Sequence, residues 1–293
     1  MGIRMKVLAI VQNKGGVGKT TVTRILTESF ARKGLRVLAI DLDAQCNFSR
    51  RFLTMDYDST EEDGILAPLH PDFNIEDDDG WDGRSSSADI YFTGDVVPYP
   101  TYLETLDMLP GDAQKLRKVE LVSIGDVKDK VHGRLDAFLS LEEVRSEYDV
   151  VLIDTSPSKG PLTVSAMRAA SHILIPTSME PQSIEGLYGM LQLWRRENRK
   201  RSVDNALKLI GILPNQFRKV SLHEGTLESL KGDESLNALL TPMLLQQRIA
   251  FAESDHPEAK PTTVFDLRAK DPARIEAEAL CDYVEKELFG EEL

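Results

Sequence analysis

The stretch VQNKGGVGKTT, residues 11–21, decides the fold. It sits between an apolar run, Lys6 to Val11, and a segment of helical period, Thr20 to Lys33. A phosphate is held by backbone N–H groups converging on it, and that convergence needs residues without a Cβ where the chain passes close to the anion. Gly15, Gly16 and Gly18 supply the freedom, and the helix that follows adds its positive N-terminal end. Lys19 is then placed to reach the β- and γ-phosphates, and the Thr20 hydroxyl to ligate Mg²⁺. The residues Lys14, Gly15, Gly16, Val17, Gly18, Lys19, Thr20 and Thr21 form the expected cradle for ATP. Strand, loop and helix occur in the order that this chemistry requires.

Outward from the loop, short apolar runs alternate with amphipathic ones. Strands are expected at Lys6 to Val11, Arg36 to Asp41, Asp149 to Asp154, His172 to Pro176 and Leu207 to Pro214. They are rich in Val, Ile and Leu without polar alternation, as strands buried on both faces of a parallel sheet read. Helices are expected at Thr20 to Lys33, Gly160 to Ala170, Ser183 to Arg199 and Arg274 to Leu288. The pattern predicts an α/β P-loop NTPase, a mostly parallel twisted sheet flanked by helices on both faces. One domain is expected over residues 1–293, with an insertion or long, partly mobile loop at about 54–100. That region breaks the rhythm with acidic residues, with Pro68, Pro71, Pro98 and Pro100, and with the serines Ser85, Ser86 and Ser87.

The net charge of −13 argues against a whole-surface nucleic-acid binder, but its distribution matters more. Asp56 to Gly83 holds eleven acidic side chains and no Lys or Arg, so removing it leaves only −2 for the rest of the chain. That body has room for a local basic face. No run reaches the eighteen or so apolar residues of a membrane span, and the N-terminus lacks a signal-peptide body. Two cysteines, Cys46 and Cys281, make neither a disulfide framework nor a four-thiolate metal site. The five histidines, His70, His132, His172, His223 and His256, are scattered and suggest no metal triad. A soluble, reducing-compartment, cytoplasmic protein is expected.

The loop departs from G-x-x-x-x-G-K-[ST], because Asn13 stands at its first position and a second lysine, Lys14, precedes the glycine pair. KGGVGKT resembles the deviant Walker A loop of the ParA/MinD superfamily, which includes plasmid and chromosome partition ATPases and nitrogenase iron protein. In that family the extra lysine crosses a dimer interface to the partner's nucleotide, and the resemblance implies that role for Lys14. A lysine on a tight turn at the site's mouth also adds positive charge where phosphoryl transfer develops negative charge. The competing reading is a solvated surface lysine.

The second expected strand ends in VLAIDLDAQCN, residues 37–47. Alternation puts Asp41 and Asp43 on one side at the carboxyl edge, where ligands collect in such sheets. This looks like the family's first switch, usually DxDPQ-N, with Ala44 where proline is common. By position, Asp43 matches the carboxylate that orients the attacking water, and Asp41 the one near the loop lysine and the Mg²⁺ shell. Two aspartates capping the next helix would be the structural alternative. VVLIDTSPS, residues 150–158, reads as a Walker B strand whose Asp154 reaches Mg²⁺. Thr155 to Gly160 then resembles the second switch, where the family often has DxPP and Ser156 here replaces the first proline. IPTSMEPQSIEGL, residues 175–187, is similar to the family's strand and loop before a long helix. LIGILPNQF places Asn215 just past a strand end, and the resemblance implies that it reads the adenine edge. The likeness covers about residues 4–53 and 101–290, not the acidic insertion.

Beyond ATP, LQLWRRENRKR packs Arg195, Arg196, Arg199, Lys200 and Arg201 at a predicted helix end, and Arg218 and Lys219 follow the next strand. Seven charges in one patch would contact phosphate backbones without reading sequence. A solvated helix end that favours cations is the alternative. Arg248 and Lys260 are candidates to extend the patch. The C-terminus, EALCDYVEKELFGEEL, is acidic, with Glu285, Glu287, Glu291 and Glu292 against Lys286. A membrane-docking basic helix of the MinD kind is therefore not expected. The cysteines do not suit the iron-protein branch either. With the phosphate loop starting about a dozen residues from Met1, no operator-binding domain is expected ahead of it.

The reading that follows is a ParA-like, Mg²⁺-dependent ATPase that forms an ATP-sandwich homodimer and binds non-specific DNA in that state. A centromere-binding partner would stimulate it, and the work would be plasmid or chromosome partitioning, with the protein nucleoid-associated when ATP-bound. Two alternatives stand beside it. One is a related ATPase that positions a protein cargo, such as a conjugation or secretion apparatus, without DNA. The other is a P-loop ligase or kinase acting on a small carboxylate.

Overall fold

Lys6–Ile10 forms strand β1, and its four buried side chains are apolar, so it is stable only with a layer on each face. The computed structural model describes residues 5–60, 64–76, 80–92, 96–122, 125–256 and 262–290. Lys260 and the acidic residues Glu61, Glu62, Asp63, Asp77, Asp78, Asp79, Glu291 and Glu292 lie outside the described residues. The strands after β1 are β2 (Val37–Leu42), β3 (Asp56–Tyr57), β4 (Ile65–Leu66), β5 (Tyr99–Pro100), β6 (Leu106–Leu109), β7 (Val150–Thr155), β8 (His172–Thr177) and β9 (Lys208–Pro214). The helices are α1 (Lys19–Arg32), α2 (Asn47–Phe52), α3 (Ala113–Glu120), α4 (Gly125–Leu139), α5 (Glu142–Glu147), α6 (Pro161–Ala169), α7 (Pro181–Asn198), α8 (Ser221–Gly232), α9 (Glu234–Asn237), α10 (Ile249–Asp255) and α11 (Pro272–Phe289).

Seven strands build one sheet in the order β5-β6-β2-β7-β1-β8-β9, parallel except for the short edge pair of β5 with β6. One face buries Leu8, Ile10 and Leu174 against α1 and α11, and the other buries Val7, Ala9 and Ile153 against α4, α6 and α7. Helices thus cover both faces of a mostly parallel sheet, as expected. The chain leaves β1 toward β2 on one side while β8 lies on the other, so the crevice past the carboxyl end of β1 is a switch point.

α1 starts at Gly18, whose φ of 83° lies in the left-handed region. Its β-branched residues are accommodated because the Thr23 and Thr27 hydroxyls donate to the carbonyls one turn back, at 2.9 and 2.8 Å. It ends in a Schellman motif: Gly34 (φ +85°) donates to Ala31 O at 2.9 Å, and Leu35 to Phe30 O at 3.1 Å.

The five expected strands and four expected helices are present, with ends moved by three residues or fewer. Strands β3 to β6 and helices α2 to α5 and α8 to α10 went unread. LDML is only four residues long and carries Asp107, which accepts a hydrogen bond from the Tyr148 hydroxyl at 2.8 Å, so its period resembles a loop. The acidic region holds, among its described residues, a 3-10 turn at Ser87–Tyr91 and the β3–β4 pair. It is anchored by the Asp89–Lys115 and Asp56–Arg84 ion pairs, at 2.8 and 2.7 Å, and by residues that carry no charge signal. Tyr99 OH donates to Pro68 O at 2.8 Å and accepts from Ser85 N at 3.0 Å, and Ser87 donates to Asp41 O at 2.5 Å.

At the amino end of β8, His172 is buried beside Lys208 and Lys6. Its Nδ1 meets Ser171 Oγ at 2.9 Å, while Nε2 has no partner among the described residues. Burial first, then the two lysines, pushes its pKa down to about 4. The unfolded chain takes up this proton near pH 6.5 and the folded one only near pH 4. His172 therefore contributes stability above pH 6.5 that is lost as pH falls toward 4. Urea midpoints measured across that window should fall more steeply for the wild type than for His172→Asn; equal slopes would assign the proton elsewhere.

Candidate functional site

The loop after β1 depends on two glycines with positive φ, Gly16 (75°) and Gly18 (83°). Gly18 is also required by space, because a Cβ there would collide with the Asn215 side chain. Asn215 donates from Nδ2 to Val17 O at 2.7 Å, so it clamps the loop from the end of β9. Asn215, expected to contact the base, also lines the neighbouring cavity.

Lys19 is buried, with Nζ toward Lys14 O at 3.4 Å. Desolvation lowers its pKa, opposed by Asp154 and Asp43. Thr20 donates to Asp154 Oδ2 at 2.7 Å and Thr23 to Oδ1 at 3.2 Å. Parallel register sets Asp41 directly beside Asp154, both fully buried. Asp154 is pushed up to about 8, by burial first and then by Asp41, and Asp41 to about 6, chiefly by burial. Two adjacent carboxylates in a dry site leave it short of positive charge. With the Thr20 hydroxyl they form a hard-oxygen set that suits a dication of the Mg²⁺ kind. No group of three or more His, Cys, Asp and Glu converges among the described residues, so remaining ligands would have to come from nucleotide and water.

Asp41, expected in the metal set, also has a structural task. Its Oδ2 already accepts from Ser49 N (2.9 Å) and Ser49 Oγ (2.6 Å), and Oδ1 from Asp43 N (3.0 Å). It holds the first switch segment to α2. Asp43 is half-buried in that segment, its Oδ1 accepting from Gln45 N at 3.0 Å. Lys14 lies at the mouth and donates to Gln182 Oε1 at 2.6 Å.

Beyond Gly18 and Thr21 opens a cavity of about 440 Å³, walled on its far side by Leu245, Ile249, Phe251 and Asp255. These residues were not read from the sequence. Thr21 donates to Asp255 Oδ2 at 2.5 Å across 234 positions, and no local pattern announces such a contact. Asp255 also pairs with the buried Arg24, which joins Glu28 and Arg51 in an internal ion network.

The seven cations expected to share one patch are divided. Arg195 to Arg201 close α7 near the amino ends of the strands, whereas Arg218 and Lys219 follow the carboxyl end of β9. The length of that seven-residue strand, roughly 20 Å, separates them. Three of the first group are already engaged. Arg196 and Lys200 pair with the buried Glu197 at 3.1 and 2.9 Å, and Arg201 caps α6 through the Met167, Arg168 and Ala170 carbonyls. Arg218 faces Glu180 at 3.4 Å. Arg248, considered as an extension, pairs with Glu276 at 2.5 Å.

A protein-family model described as an AAA domain matches residues 5–208. The chromosome partitioning protein ParA of Caulobacter vibrioides is 32% identical over 274 residues, 90% of this chain and 88% of that protein. Among solved structures, a McdA–ATP complex from Cyanothece superposes with TM-score 0.73 at 16% identity, covering 97% of each chain. Cobyrinic acid a,c-diamide synthase of Mycobacterium smegmatis, with ADP and magnesium, gives 0.68 at 21%, covering 97% and 95%. At such identities these structures speak for the fold alone.

The crowding of Asp41 and Asp154 has a measurable cost. Above pH 8, where Asp154 is ionised, Asp154→Asn removes one of the two charges and should raise the unfolding midpoint of the ligand-free protein by about 2 °C, the response of a chain this size to ~1 kcal/mol. The same change should abolish any stabilisation by Mg²⁺ with nucleotide; an unchanged or lower midpoint would mean that the pair is not strained.

Proposed function

The chain belongs to this AAA-domain family, in its ParA/MinD partition branch, and on that premise we propose that it is a Mg²⁺-dependent ATPase. In this reading it pairs with a second copy around ATP. The observation that carries it is the stacking of three layers at one strand edge. A glycine-capped helix start presents Lys19 and Thr20, the paired carboxylates Asp41 and Asp154 lie beneath, and Lys14 stands outside them at the rim.

Triphosphate would lie along the loop, with its base in the cavity beyond Gly18. When bound, Mg²⁺ would be held by Thr20 and reached by Asp154, and would neutralise charge on the phosphate oxygens. Asp43, half-buried in the first switch segment, would orient the attacking water in line with the γ-phosphorus. Lys19 from within and the partner copy's Lys14 from across the interface would stabilise the developing charge. Among the described residues, the Lys14 ammonium is held by a neutral amide and by no carboxylate, so transfer to a phosphate breaks no ion pair there.

Non-specific DNA binding in the ATP-bound dimer, discharge by a centromere-bound partner and a role in partitioning complete the proposal. Arg195, Arg199 and Lys219, for which the described residues show no acidic partner, are the cations left for phosphate backbones. The division of the basic residues between two sheet edges favours a second reading, in which the cargo is a protein and DNA is not needed.

Lys19→Ala should abolish the thermal shift with ATP. Lys14→Ala should keep nucleotide affinity within a few-fold but remain monomeric with ATP in gel filtration. Asp43→Ala should bind ATP and hydrolyse it about 10²-fold more slowly, within the range of a lost general base. If Lys14→Ala dimerised normally, the sandwich arrangement would be wrong. Retention of random-sequence duplex on filters, with and without ATP, separates the two cargo readings. Arg195→Gln with Arg199→Gln should reduce the salt slope of that retention by about 2.

A further inference from the structure

Behind the loop that follows β7, one carboxylate gathers several hydrogen bonds. Glu120, the last residue of α3, accepts at Oε1 from the Ser156 hydroxyl at 2.9 Å and from the Ser158 hydroxyl at 2.8 Å. Ser158 Oγ in turn accepts from Gly160 N at 3.1 Å, at the start of α6. Gly160 makes the approach possible, because a Cβ there would overlap the Glu120 carboxylate. Between the two serines stands Pro157, exposed and next to the phosphate loop: a Cβ built on Gly15 would lie 3.9 Å from Pro157 Cβ.

We propose that Glu120 is a positioning residue for phosphoryl transfer, holding Ser156 and Ser158 so that Pro157 stays seated against the phosphate loop. This rests on the ATPase reading above and deepens it. Serine at position 156 leaves the backbone free where a proline would restrict φ, and the shared carboxylate replaces that covalent restraint by hydrogen bonding. Glu120 touches none of the reacting atoms. It acts through the segment that begins two residues after Asp154.

The other end of the same helix reaches the first switch. Asp112 caps α3 by accepting from Lys115 N at 2.8 Å, and Gly111 N donates to Ser49 Oγ at 2.9 Å. Ser49 is the residue that holds Asp41. An eight-residue helix therefore spans from the loop after β7 to the α2 residue that holds Asp41.

Lys159 supplies a readout that does not depend on hydrolysis. It is exposed, and trypsin cleavage between Lys159 and Gly160 reports opening of the loop. Wild type should be cleaved slowly there, and Glu120→Ala on the order of tenfold faster, with the unfolding midpoint and cleavage elsewhere little changed. Glu120→Gln keeps a carbonyl oxygen that accepts both hydroxyls and should behave as wild type. Glu120→Ala with Ser156→Pro should regain protection, because the proline restores restraint to the backbone. In steady state, Glu120→Ala should lower kcat about tenfold with KM within twofold, as expected when pre-formed geometry rather than ground-state binding is lost.

Unchanged cleavage and kcat in Glu120→Ala would overturn the proposal. So would equal losses in the Gln and Ala variants, or faster cleavage at every site, which would mark a general loss of folding. A wild type that hydrolyses no ATP would sink the ATPase reading, and with it the link to phosphoryl transfer. The cleavage series would still decide whether Glu120 seats the loop.

Discussion

Two carboxylates that cannot comfortably share one dry site set the terms for this molecule. Asp41 and Asp154 end neighbouring parallel strands, and register alone brings them together. Burial removes the water that would screen them, so each is held above the usual carboxylate range. The surrounding chain answers with donors: Thr20 and Thr23 toward Asp154, Ser49 and the Asp43 backbone toward Asp41. What those hydrogen bonds leave unbalanced is negative charge facing a helix N-terminus and a buried lysine. A cation and a polyphosphate are the groups that would balance a site built this way.

The two carboxylates also divide the labour that their similar positions suggest they share. Asp154 remains directed at the start of α1, where its partners are the hydroxyls of the helix that opens the loop. Asp41 is turned to α2 and fixes the segment carrying Asp43. One faces the start of α1 and the other the start of α2. The basic residues show the same separation of tasks. Glu197, Arg168 and the end of α6 absorb much of the cationic helix end, so a run of like charges in sequence becomes partly a structural joint.

Legibility followed range along the chain. Gly16, Gly18, Lys19 and Thr20 could be assigned from eleven consecutive residues, because backbone freedom, helix polarity and side-chain reach are all local properties. The central strands were equally plain, since burial on both faces demands unbroken apolar runs. β6 was not, being four residues at the sheet's edge with an aspartate inside it. The far wall of the cavity was invisible for another reason. Ile249, Phe251 and Asp255 read as an ordinary amphipathic turn, and only their meeting with Thr21, more than two hundred positions away, gives them a role.

The amino-acid order by itself determined the α/β class, the phosphate loop, the two switch-like segments and the family resemblance, because each is a short-range pattern with its own physical cause. Tertiary structure alone decided which of the aligned groups meet. It made Asn215 a clamp on the loop as well as a lining residue of the neighbouring cavity, parted the cations to opposite sheet edges, and placed Glu120 behind Ser156 and Ser158. Those outcomes depend on strand order and helix packing, where two residues become neighbours through the closing of long loops whose ends carry no mark of one another.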